Sequence, residues 1–193
     1  MKNIIIFLMA LATVLCAADK HPKLRENLKC ITDSSGNGKH IDPDYVYNAN
    51  RVVLYFGASW CGYCKQFYNE KLLPYYDSLG AVVLYVSLDD NKNTTYKYMR
   101  KSKMPWNVVM PGTGCVDNMK RLYKTTGGIP ELVALDSTDR IISKGNAFDS
   151  FEKLKSEITK SRINSVAIDS IITQMHNAGI PDSLINELIN RSK

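Results

Sequence analysis

The sequence has few histidines and cysteines, the side chains typical of zinc sites, and no apolar run long enough to span a membrane. Its 193 residues include five cysteines and only three histidines, His21, His40 and His176. The sequence reveals no partner for these histidines, and we expect all three at the surface. A zinc site needs a second ligand pair near a Cys-x-x-Cys motif, which the scattered remaining cysteines and histidines do not supply. We therefore expect neither a metal ion nor a cofactor.

The longest apolar run, Ile4 to Leu15, is shorter than the roughly 20 residues that a membrane-spanning helix needs. It follows a positive charge at Lys2 and precedes small residues that end at Ala18. This order is the three-part pattern of a secretory signal peptide. We predict that residues 1–18 are a signal peptide and that the chain is exported to a bacterial periplasm, with no stable membrane span. The alternative, a lipid anchor at Cys16, is disfavoured by the bulky residue before that cysteine.

Clusters of basic and aromatic residues are also absent. The net charge is +6 at pH 7, but Lys and Arg alternate with Asp and Glu along the chain. A nucleic-acid surface would group basic residues with aromatic ones, so we expect no nucleic-acid partner. The length suits one domain with a full core better than two independent cores.

The middle of the chain contains two short apolar segments with a segment of helical pattern between them. Arg51 to Gly57 and Ala81 to Leu88 are rich in β-branched and aromatic residues. Both are predicted to be buried strands. The segment from Cys61 to Leu73 is predicted to be a helix that breaks near Pro74. Such a strand–helix–strand unit has parallel strands that are covered on both faces.

Shorter elements complete the predicted domain. Polar turn residues separate β-type segments at 131–135 and 140–144, which indicates a hairpin. The other predictions are a surface helix at 91–103 capped by Asp89 or Asp90, a short strand at 107–110, a helix at 116–125 and a closing helix at 148–160.

The C-terminal extension, residues 161–193, differs from the rest of the chain. Two apolar stripes at helical spacing lie on either side of Gly179 and predict two short amphipathic helices. Packing on the main domain is their simpler role, and a dimer seam or a client-binding surface is the alternative. The stripes consist of Ile168, Ile171, Ile172 and Met175, then Ile180, Leu184, Ile185, Leu188 and Ile189.

Cys61 and Cys64 carry the clearest chemistry. They stand where the first strand has ended and the helix begins, directly after Trp60, which could contact clients or shield Cys61. Only a thiolate is nucleophilic, and the unpaired N–H groups of a helix N-terminus stabilise it. We predict that Cys61 attacks a disulfide and that Cys64, one turn deeper, resolves the mixed disulfide. A purely structural disulfide fits poorly, because so short a loop constrains little of the unfolded chain.

The other two cysteines of the predicted mature chain are Cys30 and Cys115. An even number of cysteines in an exported chain permits two disulfides. Cys30 and Cys115 could pair, remain as two buried free thiols, or form a regulatory redox pair. The sequence leaves these alternatives open.

Three separated motifs carry a family resemblance: Leu54 to Lys65, Met104 to Trp106, and Gly128 to Pro130. Together they resemble the thioredoxin superfamily, with most likeness to its tryparedoxin and nucleoredoxin-like branch, over about Val46 to Lys160. The resemblance implies an α/β thioredoxin fold, a central mixed sheet flanked by helices, as a domain at 46–160. A segment at 19–45 would precede this domain and the C-terminal helical extension would follow it. It also implies that Pro130 is a cis-proline that faces the cysteines and positions clients, and we expect Trp106 in the core.

This sequence departs from the thioredoxin pattern at one position. Thioredoxins have a buried acidic residue six positions before the first cysteine, where this chain has Tyr55. Glu131 could replace it as a proton relay, although a solvated Glu at a strand start is the simpler interpretation. Gly62-Tyr63 resembles the dipeptide of disulfide isomerases, whereas Ile129 resembles reducing thioredoxins. The direction of electron flow therefore stays open.

Two functions are compatible with these features. The first is an exported thiol–disulfide oxidoreductase that reduces or isomerises disulfides of client proteins and is recycled by a redox partner protein. The alternative is a chaperone-like or partner-docking module that uses the C-terminal helices on a thioredoxin scaffold.

Overall fold

One mixed sheet runs through the computed structural model, which describes residues 20–33, 39–123 and 125–191. The predicted signal peptide and Cys16 lie outside the described residues. The strands are β1 (Ile31–Thr32), β2 (His40–Ile41), β3 (Arg51–Gly57), β4 (Val82–Ser87), β5 (Val108–Val109), β6 (Glu131–Asp136) and β7 (Ile141–Asn146). Their order across the sheet is β2-β1-β5-β4-β3-β6-β7. β3 pairs in parallel with β4 and antiparallel with β6, so the sheet is mixed, as the thioredoxin fold requires.

Helices cover both faces of this sheet. They are α1 (Pro22–Asn27), α2 (Asp44–Tyr47), α3 (Gly62–Phe67), α4 (Leu73–Tyr75), α5 (Lys92–Ser102), α6 (Cys115–Tyr123), α7 (Ala147–Asn177) and α8 (Asp182–Arg191). Among the helices of the described residues, none combines the length and apolar character needed to cross a membrane.

Alternation along β3 divides the core into two layers. Val53 and Tyr55 belong to the layer beneath α3, α5 and α7, whereas Leu54 and Phe56 belong to the layer beneath α1, α2 and α6. Because both faces are covered, β3 and β4 are nearly continuous apolar segments without polar alternation. The two sheet faces therefore have different neighbours, and this decides where each side chain of the site can act.

The sequence predicts a helix with a break near Pro74, where a second helical piece can start, and in the structure helical turns continue on both sides of Pro74 with an irregular turn before it. A π-helical turn at Tyr68–Leu72 follows α3, and a 3₁₀ turn at Tyr76–Leu79 follows α4. Pro74 has no N–H to donate to the preceding turn, and a wider turn before it lets the helical path continue.

The closing helix is longer than predicted. α7 runs without a break from Ala147 to Asn177 and crosses the boundary predicted between residues 160 and 161. Its first half buries Phe151, Leu154 and Ile158 in the core. Beyond residue 160 four of its large apolar side chains are more than half exposed and do not pack on the main domain as the simpler interpretation expected, whereas Ile172 and Met175 are partly buried. These exposed side chains are Ile163, Val166, Ile168 and Ile171.

The N-terminal segment is attached by a buried ion pair that involves His21, a residue expected at the surface. The His21 ring is fully buried, and its Nδ1 lies 2.8 Å from Oδ1 of Asp139, in the turn between β6 and β7. Its Nε2 lies 3.1 Å from the carbonyl oxygen of Ala49. Both ring nitrogens of His21 therefore have a polar partner. The partners are 118 positions apart along the chain, which is why the sequence did not reveal the pair.

Candidate redox-active site

Cys61 and Cys64 lie at the N-terminus of α3, directly after the loop that leaves β3. Cys61 is the N-cap residue, and the backbone N–H of Cys64 donates to Cys61 Sγ at 3.0 Å. The two cysteines form a disulfide, with Cα atoms 5.2 Å apart. β3 ends at Gly57, where a Cβ would lie only 3.0 Å from the Tyr55 hydroxyl oxygen, so a larger residue would require the Tyr55 ring to shift.

The two sulfur-bearing residues differ in exposure. Cys61 is 7% exposed and Cys64 is fully buried. The N–H group that donates to Cys61 Sγ would also stabilise a thiolate at this atom once the disulfide is reduced. Trp60 and Tyr63 stand out beside the pair and are 65% and 72% exposed. Cys61 is therefore the cysteine of the pair that is open to solvent, and two exposed aromatic residues flank it in the sequence.

Pro130 lies across from this pair. The Ile129–Pro130 peptide bond is cis, and the carbonyl oxygen of Ile129 lies 3.7 Å from Cys61 Sγ. The structure thus brings Trp60, Cys61, Cys64 and Pro130 to one place, at the ends of β3 and β6. A chain that approaches Cys61 meets the backbone of Ile129.

Tyr55 lies beneath α3 and holds its first turn. Its hydroxyl donates to the carbonyl oxygen of Cys64 at 2.9 Å. Burial, together with the neighbouring Tyr98 and Tyr85, raises the pKa of Tyr55 far above its ordinary value. The phenol stays neutral, and its proton is engaged by a backbone carbonyl. Tyr55 therefore supports the helix and does not serve as a base.

Glu131 is neither solvated nor placed to relay protons to the cysteines. It is buried, and it stands opposite Phe56 in the antiparallel register of β3 and β6. Directly opposed residues point to the same face of a sheet, and Phe56 points away from α3. The Glu131 carboxylate accepts hydrogen bonds from the N–H and hydroxyl of Thr126, at 2.9 and 3.1 Å. It stabilises the loop before Pro130, on the face opposite the cysteines.

Asp89 is a site residue for which the sequence predicted a different role. It was a predicted cap of α5, but Asn91 caps that helix. Asp89 is buried, and its Oδ1 accepts the N–H and hydroxyl of Ser59, both at 2.8 Å. It therefore fixes the loop that leads into Trp60 and Cys61. An Asp just before a helix normally indicates a cap, so the local sequence held no signal for this contact.

The second cysteine pair lies elsewhere. Cys30 and Cys115 form a disulfide with Cα atoms 6.4 Å apart, which joins the chain before β1 to the start of α6. Both belong to the layer of the core that faces away from α3.

Trp106 is buried and packs edge-on against Tyr68 and Tyr76, in the core position expected for it. No group of three or more His, Cys, Asp or Glu residues suited to a metal ion occurs within the described part of the chain.

Residues 49–141 match the thioredoxin-like family. Over 114 residues the chain is 33% identical to probable nucleoredoxin 1 of Arabidopsis thaliana. The alignment covers 56% of this chain and 19% of that protein. It is 34% identical over 114 residues to probable nucleoredoxin 3 of Oryza sativa subsp. japonica, covering 52% of this chain and 23% of that protein. The chain spans about a fifth of the length of these curated relatives.

Solved structures show the same fold. The thioredoxin of Wuchereria bancrofti superposes with a TM-score of 0.55 at 26% identity, covering 70% of this chain and 94% of that one. Tryparedoxin I of Crithidia fasciculata superposes with a TM-score of 0.51 at 21% identity, covering 63% and 83%. The chain therefore has the thioredoxin fold, and its residues 49–141 are similar to thioredoxin-like proteins, with nucleoredoxins and tryparedoxins among the proteins that it resembles.

Proposed function

We propose that this protein is an exported thiol–disulfide oxidoreductase that reduces or isomerises disulfides in client proteins through the Cys61/Cys64 dithiol. One observation carries the proposal. The cysteine pair lies at a helix N-terminus beside the Ile129–Pro130 backbone, and Cys61 is its more exposed member.

The proposed cycle begins with the reduced pair. The Cys61 thiolate attacks one sulfur of the client disulfide, which forms a Cys61–client bond and releases the other client sulfur as a thiolate. Cys64 then loses its proton and attacks Cys61 Sγ, which releases the second client thiolate. Two electrons pass from the dithiol to the client, the Cys61–Cys64 disulfide remains, and a dithiol partner protein reduces it again. Isomerisation follows the same first step, but a client thiol displaces Cys61.

Each site residue has a proposed role in this cycle. Cys61 is the nucleophile and Cys64 the resolving residue. Pro130 keeps the Ile129 backbone beside Cys61, where it can pair with an extended client segment. Trp60 offers an exposed aromatic surface to the client.

Two observations support export, with a bacterial periplasm as the proposed compartment. The N-terminal pattern from Lys2 to Ala18 is that of a signal peptide. The Cys30–Cys115 disulfide is of the structural kind that persists in oxidising compartments, because cytosolic thiol systems keep such pairs reduced.

Reduction of insulin and reactivation of scrambled ribonuclease together test the proposed activity. We expect the wild-type protein to accelerate at least one of these reactions, and the Cys61→Ser variant to stay at the rate of the buffer thiol alone. Acceleration of only the first indicates a reductase, and of the second an isomerase. Equal rates for the wild type and Cys61→Ser in both assays would contradict the proposal.

A second candidate function, a partner-docking module, is favoured by the exposed apolar side chains of α7. Val166 and Ile171 are 68% and 55% exposed, an unusual placement for large apolar residues on one helix segment. If this surface docks a partner or client, the double variant Val166→Ser/Ile171→Ser should lose self-association or client binding, as measured by sedimentation, while insulin reduction stays unchanged. Wild-type protein that is monomeric and binds no unfolded client would contradict this candidate.

A further inference from the structure

A basic cleft lies beside the cysteine pair, between α3 and α5. Its volume is about 490 Å³, which is within the range of ligand-binding clefts. Lys65 contributes from α3, and Lys97 and Lys101 contribute from α5. Ser59, two residues before Cys61, also lines the cleft. We call this feature the lysine cleft.

The three lysines of the cleft have no negative partner. None of them forms an ion pair among the described residues, and none of the residues that line the cleft is acidic. Two lysines outside the cleft do form ion pairs, Lys71 with Glu152 and Lys160 with Glu157. Lys97 and Lys101 stand one turn apart on α5, where like charges repel. A bound anion would relieve this repulsion.

Neutral polar groups in the cleft could complete an anion site. Asn69 lines it beside the lysines and can donate hydrogen bonds to carboxylate oxygens. Tyr98 also lines it and is nine-tenths buried. Burial raises the pKa of Tyr98 to about 12, and the nearby Ser102 lowers it in part. The Tyr98 hydroxyl has no hydrogen-bond partner among the described residues.

We propose that the lysine cleft binds acidic side chains of the client, close in sequence to the cysteine that Cys61 attacks. The proposal rests on the proposed function and adds a substrate preference to it. Ser59 lines the cleft and lies two positions before Cys61, so we place the acidic side chain within a few client residues of the reacting cysteine. A client with Asp or Glu at that separation could occupy the cleft while its disulfide reaches Cys61.

The first test measures binding without any thiol chemistry. A cysteine-free peptide with three glutamates and the same peptide with three glutamines are titrated calorimetrically into the full chain at low salt. We expect only the glutamate peptide to bind, and the Lys97→Gln/Lys101→Gln variant to bind it about fivefold more weakly. The control variant Lys23→Gln/Lys29→Gln removes the same charge from exposed sites on α1 and before β1, and it should bind like the wild type.

Equal weakening in the two double variants, or equal binding of the two peptides, would overturn the proposal. Because this assay involves no disulfide, its outcome does not depend on whether the protein reduces clients. A second arm compares reduction of a peptide disulfide with flanking glutamates, its glutamine counterpart and oxidised glutathione. We expect Lys97→Gln/Lys101→Gln to raise KM for the glutamate peptide alone. A rise for oxidised glutathione alone would overturn the assignment to client side chains and indicate a site for small anionic disulfides.

Discussion

In the Cys64→Ser variant, we expect client proteins to remain attached to Cys61 as mixed disulfides, and multiple turnover to fall by at least about a thousandfold. A serine hydroxyl at position 64 cannot displace the client from Cys61, so the reaction stops after its first step. The substitution suits the site because Cys64 is fully buried and serine is of similar size. The hydrogen bond to Cys61 Sγ comes from the backbone N–H of residue 64 and is retained.

Non-reducing electrophoresis followed by mass spectrometry would detect the trapped adducts and identify the attached clients. Cys61→Ser is the matched control and should trap nothing, because the buried Cys64 does not reach client disulfides. Adducts of similar yield in the two variants, or adducts linked to position 64, would contradict the roles that we propose for the two cysteines. The identity of the trapped clients would also show whether acidic residues lie beside their reacting cysteines.

In the Asp139→Ala variant, we expect the free energy of unfolding to fall by about 3–5 kcal/mol, the usual loss when one partner of a buried ion pair is removed. The Asp139 carboxylate contacts His21 Nδ1, and its other oxygen accepts the backbone N–H groups of Lys23 and Leu24, at 2.7 and 3.1 Å. Its removal leaves a buried ring and two helix N-terminal donors without an acceptor. Urea unfolding of the full chain measures the change.

The Asp139→Asn variant distinguishes the stability lost with the charge from the stability lost through the backbone conformation at this position. Asp139 has a φ of 62°, in the left-handed region that Asn tolerates and Ala does not favour. The amide oxygen of Asn can still accept N–H groups, so we expect Asp139→Asn to lose less stability than Asp139→Ala. A loss below about 1 kcal/mol in both variants would mean that the buried pair contributes no net stability.

The redox pair and its framework were predictable because their signals are local. β3, α3 and β4 follow from short apolar segments and a helix start, and Cys61 and Cys64 lie within one turn of each other. Neither feature depends on which distant segments meet. Pro74 is also a local signal, but it predicts only that the helix is irregular there and not that the preceding turn is wider.

The tertiary structure alone decided which distant residues meet. His21 looked like a surface residue until the fold placed Asp139 beside it, and the register of β3 and β6 turned Glu131 away from the cysteines. Asp89 resembled a helix cap and instead holds Ser59. The lysine cleft exists only because α3 and α5 pack side by side. Periodicity along a chain specifies which face of an element is apolar, whereas hydrogen bonds and ion pairs across the sheet depend on topology and register, which this sequence by itself did not determine.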